Sequence, residues 1–272
     1  WTTSPQAAKS GKGRPARMDW IFDSHAHYDD AAFAADREEL LASLPAKGVC
    51  GVVNAASDLK SAEASLTLAH RYPYFWAAVG VHPHEAEKAP GDYLERLTEL
   101  LRDDRAVAVG EIGLDYHYDF SPRETQKKVF EEQLALAKEL DCPVVVHDRE
   151  AHADTLALLK RYRPKGVVHC FSGSVEMMRE VVSLGLMIGL GGAVTFKNAR
   201  HPVEVAAEVP LDALLLETDC PYMTPVPFRG KRCDSSMIRL TAEKIAAVRG
   251  MEVSKLLRAA WENAERLFGI SR

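Results

Sequence analysis

From Asp19 onward the chain alternates between two patterns of apolar and polar residues. Short apolar runs recur at 20–23, 49–54, 76–81, 106–110, 143–146, 166–168, 186–190 and 213–216. They are continuous rather than alternating, as expected of parallel strands covered on both faces. Between them the apolar residues fall at helical spacing. Ser121-Pro122-Arg123-Glu124 reads as a capping box with proline at the first helical position, followed by a stripe of Phe130, Leu134, Ala137 and Leu140. Ile238, Thr241, Ile245 and Val248 form a second stripe stopped by Gly250. Leu257, Ala260, Trp261, Ala264 and Phe268 form a third, stopped by Gly269. Eight strands separated by helices predict an α/β fold, a (β/α)8 TIM-type barrel with extra C-terminal helices, in preference to a doubly wound open sheet. An open sheet gathers its ligand at one switch point. Here nearly every apolar run ends in a chemically capable residue, which favours strand ends that face a common centre.

Composition narrows this picture. At 272 residues and 47% hydrophobic content the chain can fill one large core, and such barrels commonly run to ~250 residues as a single domain. Residues 18–272 are therefore expected to form one domain. Residues 1–17 are polar, carry Lys9, Lys12, Arg14 and Arg17 without an acid, and are expected to be a disordered basic tail, with Met18 read as the original start. A net charge of −5 argues against a broad basic face that coats nucleic acid. No run is long and apolar enough to cross a bilayer. Cys50, Cys142, Cys170, Cys220 and Cys233 are scattered without CxxC spacing, which points to reduced thiols in a cytoplasmic protein.

The chemistry lies after the strands. His25 and His27 follow the first run, His82 and His84 the third, Glu111 and Asp115 the fourth, His147 the fifth, His169 the sixth, and Glu217 and Asp219 the eighth. A barrel brings these positions together at one face. A single histidine after a strand is more often an ordinary hydrogen-bonded side chain than a ligand, so the argument rests on the set. Four imidazoles (His25, His27, His147, His169) and two carboxylates (Glu111, Asp219), without a thiolate, suit Mg²⁺, Mn²⁺ or Zn²⁺. Six donors exceed one tetrahedral ion, so two divalent metal ions sharing a carboxylate fit better. His82 and His84 read either as ligands or as donors to a phosphate. Asp115 reads either as a substrate contact or as the cap of its loop. Arg229, in the run Arg229-Gly230-Lys231-Arg232, is set as a phosphate contact against the ordinary reading of a solvated loop. Cys170 and Cys220 are expected to pack, and Glu217 to stand behind the ligands.

Several of these stretches together resemble the TatD family of metal-dependent deoxyribonucleases, within the amidohydrolase-like barrels. They are Asp23-Ser24-His25-Ala26-His27, Gly80-Val81-His82-Pro83-His84, Gly110-Glu111-Ile112-Gly113-Leu114-Asp115-Tyr116, His169-Cys170-Phe171-Ser172-Gly173-Ser174, Thr195-Phe196-Lys197-Asn198-Ala199 and Glu217-Thr218-Asp219-Cys220-Pro221-Tyr222. The resemblance implies that His25, His27, Glu111, His147, His169 and Asp219 bind divalent metals, and that the reaction is phosphodiester hydrolysis in DNA. The expected division puts His25, His27 and Asp219 on one ion and His147 and His169 on the other, with Glu111 bridging and Asp219 also accepting a proton from water. The acidic charge balance favours a DNA substrate that is single-stranded or held at a strand end, and no membrane partner. Family members typically follow the basic run with Asn-Glu-Pro; this chain has Cys233-Asp234-Ser235, a loop expected to border the substrate. Two other readings compete: a different hydrolysis on the same centre (D-aminoacyl-tRNA deacylase, lactonase or amidase), and a binding protein that has lost catalysis. Related barrels often bridge two metals with a carboxylated lysine after the fourth strand. Glu111 stands at that point, which favours the nuclease branch.

Overall fold

Apolar runs buried on both faces need a filled interior and an outer layer of helices, and the chain supplies both. The computed structural model describes residues 20–270; the tail expected over 1–17 lies outside them. Eight strands form one all-parallel sheet in sequence order: β1 Ile21–Ala26, β2 Val49–Ala55, β3 Phe75–Val79, β4 Ala106–Asp115, β5 Val144–Arg149, β6 Gly166–Val168, β7 Met187–Leu190 and β8 Leu214–Leu216. Around them lie α1 Arg37–Ser43, α2 Leu59–Arg71, α3 Tyr93–Leu100, α4 Arg123–Glu139, α5 His152–Tyr162, α6 Val175–Ser183, α7 Arg200–Glu208, α8 Ile238–Arg249 and α9 Val253–Phe268. The sheet nearly closes into a barrel. Just beyond β8, the Asp219 N–H donates to the His25 carbonyl at 2.9 Å and the His27 N–H to the Cys220 carbonyl at 2.8 Å, around a parallel bridge between Ala26 and Cys220. The expected barrel is present, and so are the extra C-terminal helices.

The two mouths of the barrel are built differently. Phe22, Val53, Trp76, Val107, Val145, Val167, Met187 and Leu215 are each the first or a middle residue of a different strand, and they form one buried cluster with Trp261, Ala264 and Phe268 of α9. Trp261 meets Trp20 and Phe22 edge-on, each at 5.3 Å between ring centroids. The last helix therefore plugs the N-terminal mouth with apolar surface. The C-terminal mouth keeps the polar residues.

Strand extents and caps differ in places from the sequence reading. β4 runs to Asp115 and β5 to Arg149, past the points where their apolar runs stop. The ladder continues because Gly113 pairs with His147 and Leu114 with Asp148. Gly113 sits at φ +145°, and a Cβ there would lie 1.9 Å from the His147 carbonyl oxygen, so only glycine admits this approach. The capping box at Ser121 is absent. α4 starts at Arg123 after Pro122, and the Ser121 hydroxyl donates to the His84 carbonyl while accepting the Glu87 N–H, tying the loop to the turn Pro83–Lys88. Leu140 lies just past the helix and is exposed, whereas Phe130, Leu134 and Ala137 are buried.

In the segment Cys233-Asp234-Ser235, Cys233 and Ser235 pack into the β1–β8 seam. Cys233 is fully buried and its N–H donates to the Pro221 carbonyl. The Ser235 hydroxyl donates to Asp23 Oδ2 at 2.7 Å, and the Ser235 N–H donates to the Tyr28 hydroxyl at 2.8 Å. Asp23 gathers the seam: its carboxyl also accepts the Thr218 hydroxyl and the N–H groups of Thr218 and His25. Small hydroxyl residues fit where two backbones meet a buried carboxylate, which explains their place here. Among the described residues no helix is long and apolar enough to cross a membrane, and none of the five cysteines is in a disulfide.

Burial pushes the Asp23 carboxyl up to about 7, outweighing the hydrogen bonds from Thr218, Ser235 and His25 that favour its ionised form. A carboxyl with a raised folded pKa binds its proton more tightly when folded, so its contribution to stability falls as pH rises from the unfolded value of 3.8 towards about 7. Urea titrations of metal-free wild type and Asp23→Asn should show this directly. The stability of wild type minus that of the variant should be larger at pH 5 than at pH 8; an equal difference would contradict the assignment.

Candidate metal centre

Side chains two apart on an extended segment share a side, and β1 ends by placing two imidazoles that way. His25 Nε2 and His27 Nε2 lie 3.1 Å apart. Glu111, on β4, reaches the same point: its Oε2 is 3.2 Å from His25 Nε2 and 3.5 Å from His27 Nε2. Asp219 closes the group from beyond β8, with Oδ1 at 3.3 Å from His27 Nε2 and 3.7 Å from His25 Nε2. Asp219 has φ +60°, a left-handed backbone that non-glycine residues rarely adopt, held here by its N–H bond to His25.

A second group surrounds the other Glu111 oxygen. Oε1 lies 2.7 Å from His169 Nε2, 2.8 Å from His147 Nδ1 and 3.4 Å from His82 Nε2. One carboxylate thus meets five imidazoles delivered from β1, β3, β5 and β6 or their ends. Donor atoms of His25, His27 and Glu111, of His25, His169 and Asp219, and of His82, Glu111 and His147 each fall within 4.8 Å of one another. The spacing fits a divalent ion. With bonds of ~2.1 Å, the edge between neighbouring ligands of a tetrahedral or octahedral ion is roughly 3.0–3.4 Å. Nitrogen and oxygen donors without thiolate suit hard or borderline cations.

The charges within the cluster compensate one another. Burial alone would push Glu111 up, but His169, His25 and His82 more than reverse this and hold it well below the usual carboxylate range. Burial opposes the charged form of His27, yet the Asp219 and Glu111 carboxylates raise it to about 9. Burial likewise opposes His169 and His147. Glu111 raises His169 well above its ordinary value, and Asp115 together with Glu111 raises His147. His25 shifts the other way, lowered first by burial and then by the charge on His169, on which its ring stacks at 3.7 Å. Protons on His27, His147 and His169 therefore balance the acids where cations otherwise would.

Outer contacts orient this set. Asp115 is 1% exposed, and its Oδ2 lies 2.9 Å from His147 Nε2 and 3.0 Å from His84 Nε2. Its Oδ1 accepts the N–H groups of His117 and Tyr118. Both oxygens are engaged, so Asp115 caps its loop and braces His147 instead of facing a substrate. Glu217, fully buried, accepts the Cys170 N–H and lies 3.7 Å from His169 Nδ1, behind that ring as expected. His27 is fixed by the Ala55 carbonyl, 2.8 Å from its Nδ1.

The remaining expected contacts divide. His82 joins the Glu111 group, but its Nδ1 accepts the His84 N–H at 3.1 Å, so the neutral ring carries its proton on Nε2 and presents a donor to the centre. Burial lowers His82 to about 4, which keeps it neutral. His84 does not reach Glu111; it sits between Asp115 and the rings of Tyr118 and Phe120. Arg229 is exposed, stacked on Phe196 at 3.8 Å and bonded to the Thr224 carbonyl. Neither contact is with a residue of the metal cluster. Arg232 is taken by Asp36. Arg149 stands two residues beyond His147 on β5, so the i, i+2 rule that pairs His25 with His27 places it on the same side of its strand as His147.

A family model described as TatD related DNase matches residues 22–269. The chain belongs to the TatD-related DNase family. It is a metal-dependent hydrolase of that family, and the relatives are alike over nearly their whole length. An uncharacterized metal-dependent hydrolase of Bacillus subtilis, YabD, is 40% identical over 254 residues, covering 92% of this chain and 100% of the relative. A protein of Citrobacter rodentium named 3'-5' ssDNA/RNA exonuclease TatD is 35% identical over 259 residues, covering 92% of this chain and 98% of the relative. Among solved structures, the TatD homologue YjjV of Escherichia coli K12 superposes with a TM-score of 0.88 at 35% identity, covering 93% of this chain and 100% of that one. Membership in the TatD-related family accounts for the order of the strand-end motifs, from Asp23 to Tyr222, along a barrel of matching shape.

Because imidazoles must be neutral to bind a cation, metal uptake has to expel the protons that the free centre holds. Titration calorimetry with Mn²⁺ or Zn²⁺ at pH 7, repeated in buffers of different ionisation enthalpy, should show proton release. Affinity should rise from pH 6 to pH 8, because His27 keeps its proton up to about 9 in the free protein. Binding without proton release, or with affinity independent of pH, would contradict this electrostatic account.

Proposed function

We propose that this chain hydrolyses phosphodiester bonds of single-stranded nucleic acid, DNA foremost, removing nucleotides from strand ends at a pair of divalent metal ions. The observation that carries the reading is Glu111, whose two carboxylate oxygens each face a separate group of imidazoles. His25, His27 and Asp219 would hold one ion and His147 and His169 the other, with Glu111 shared. The relative named as an ssDNA/RNA exonuclease supports the choice of substrate. Five cysteines, none in a disulfide among the described residues, fit a reducing, cytoplasmic setting.

Ions bound there supply the Lewis acidity that lowers the pKa of water and offsets charge on a phosphate. The chain's own groups do the rest. Asp219 is the most open of the six proposed ligands, at 20% side-chain exposure. Burial raises its pKa, but the His27 and His25 rings more than reverse this, so it is ionised and able to accept the proton of the attacking water. His82, neutral and with its proton fixed on Nε2, donates to a non-bridging phosphate oxygen. This keeps the phosphorus aligned with the attacking oxygen. Asp115 and Glu217 hold His147 and His169 in orientation, so the donor set changes little when substrate enters.

The test is degradation of an end-labelled single-stranded oligonucleotide, abolished by a chelator and restored by Mg²⁺, Mn²⁺ or Zn²⁺. Asp219→Ala and His169→Ala should each lower turnover roughly 10²-fold or more, with unchanged circular dichroism, because stability resides in the core and the plugged mouth. Turnover unchanged in either variant under saturating metal would overturn the assignment. Hydrolysis of D-aminoacyl-tRNA or a lactone without loss of nucleic acid would replace the substrate class.

A further inference from the structure

Exposed aromatic rings contribute little to folding, so their position on a molecule bears on what they meet. Phe120 at 63% and Tyr118 at 49% are among the large apolar side chains most open to solvent in the described residues, and both lie on the loop between β4 and α4. That loop leaves the C-terminal mouth directly after Asp115. The two rings stack at 5.2 Å with 23° between their planes. His84 meets both edge-on, at 4.8 Å from Phe120 and 5.5 Å from Tyr118. His84 in turn shares Asp115 Oδ2 with His147, whose other nitrogen is on Glu111. Three residues, His84, Asp115 and His147, separate the aromatic pair from the carboxylate at the centre.

The loop is built, not slack. Asp115 Oδ1 binds two of its N–H groups, buried Gln126 binds the Ser121 carbonyl, and the Ser121 hydroxyl reaches the His84 carbonyl. Two arginines face it, and Arg123 is held by Asp119 and the Tyr116 carbonyl. Arg149, exposed at the end of β5, has its guanidinium 5.2 Å from the centre of the Tyr118 ring. The neighbouring acids are occupied: Asp119 by Arg123, Glu150 by His117, and Asp154 by Tyr116 and Lys127. Among the described residues Arg149 forms no ion pair with a carboxylate, which leaves its charge available.

We propose that this corner of the mouth is a nucleotide subsite: a base next to the scissile bond stacks on Phe120 and Tyr118, and Arg149 binds the phosphate of that nucleotide. The inference rests on the phosphodiesterase reading above and gives it a physical basis for choosing single strands. A base presents its face to a ring only when it has left its own stack, which a duplex resists. The ring pair also takes any base, because each has an aromatic face. An arginine fits the phosphate because its planar fork matches two oxygens at once.

The experiment uses metal-loaded protein and a single-stranded oligonucleotide with 2-aminopurine at its last positions and phosphorothioate linkages that resist hydrolysis. Stacking should quench the fluorescence on binding, and Tyr118→Ala/Phe120→Ala should abolish the quench and weaken binding about tenfold or more. Arg149→Gln should keep the quench at saturation but weaken binding and reduce the salt dependence by about 0.7 in the log–log slope. In cleavage, the kcat/KM advantage of an intact strand over one with abasic terminal positions should be about tenfold or more in wild type and near unity in the double variant. Quenching absent in wild type, or an intact-to-abasic ratio unchanged by the double variant, would overturn the subsite. A quench that depends on the two rings in a protein that cleaves no nucleic acid would uphold the subsite and overturn the nuclease instead.

Discussion

One buried carboxylate, Glu111, organises the molecule. It is 3% exposed and lies within 3.5 Å of five imidazole nitrogens that come from distant parts of the sequence. A charged group removed from water this completely is unfavourable unless it is neutralised on every side. The strand ends supply that neutralisation, as protons on His27, His147 and His169 in the free protein and as cations in a metal-bound one. The demand for compensation at one point ties the imidazoles at the ends of β1, β3, β5 and β6 to a single requirement.

The rest of the barrel serves to hold those ends still. α9 closes the opposite mouth with Trp261 and Phe268, so the hydrophobic stabilisation lies away from the chemistry. The seam between β1 and β8, where a barrel is most easily opened, is fastened by Asp23 with Thr218 and Ser235, one residue type chosen for its acceptors and two for their small hydroxyls. Gly113 lets β4 and β5 approach until Asp115 braces His147. Fold and site are therefore not separable layers: the same backbone contacts that complete the sheet set the separation of the donors.

Much of this was legible in the residues. Continuous apolar runs separated by helical stripes identify a parallel barrel, and the barrel's topology identifies the strand ends as one place. That is why His25, His27, Glu111, His147, His169 and Asp219 stand out together in the sequence. What the pattern hid depends on partners far away in sequence. Ser121 looks like a helix cap but bonds to His84 and Glu87, because the turn Pro83–Lys88 offers it buried backbone groups. Cys233-Asp234-Ser235 follows a basic loop and so reads as substrate border, a pattern that does not show Asp23 drawing Ser235 into the seam. Asp115 reads as a substrate contact until His84 and His147 are seen to occupy it. The tautomer of His82 is fixed by a single backbone N–H, which no spacing rule reveals.

The central claim is that two cations sit on either side of Glu111. It is tested most directly by crystals of the Mn²⁺-loaded protein, with anomalous scattering used to locate the ions. The account predicts two peaks ~3.5–4 Å apart, one against His25, His27 and Asp219 and the other against His147 and His169, with Glu111 touching both. A single peak, or peaks away from Glu111, would contradict it.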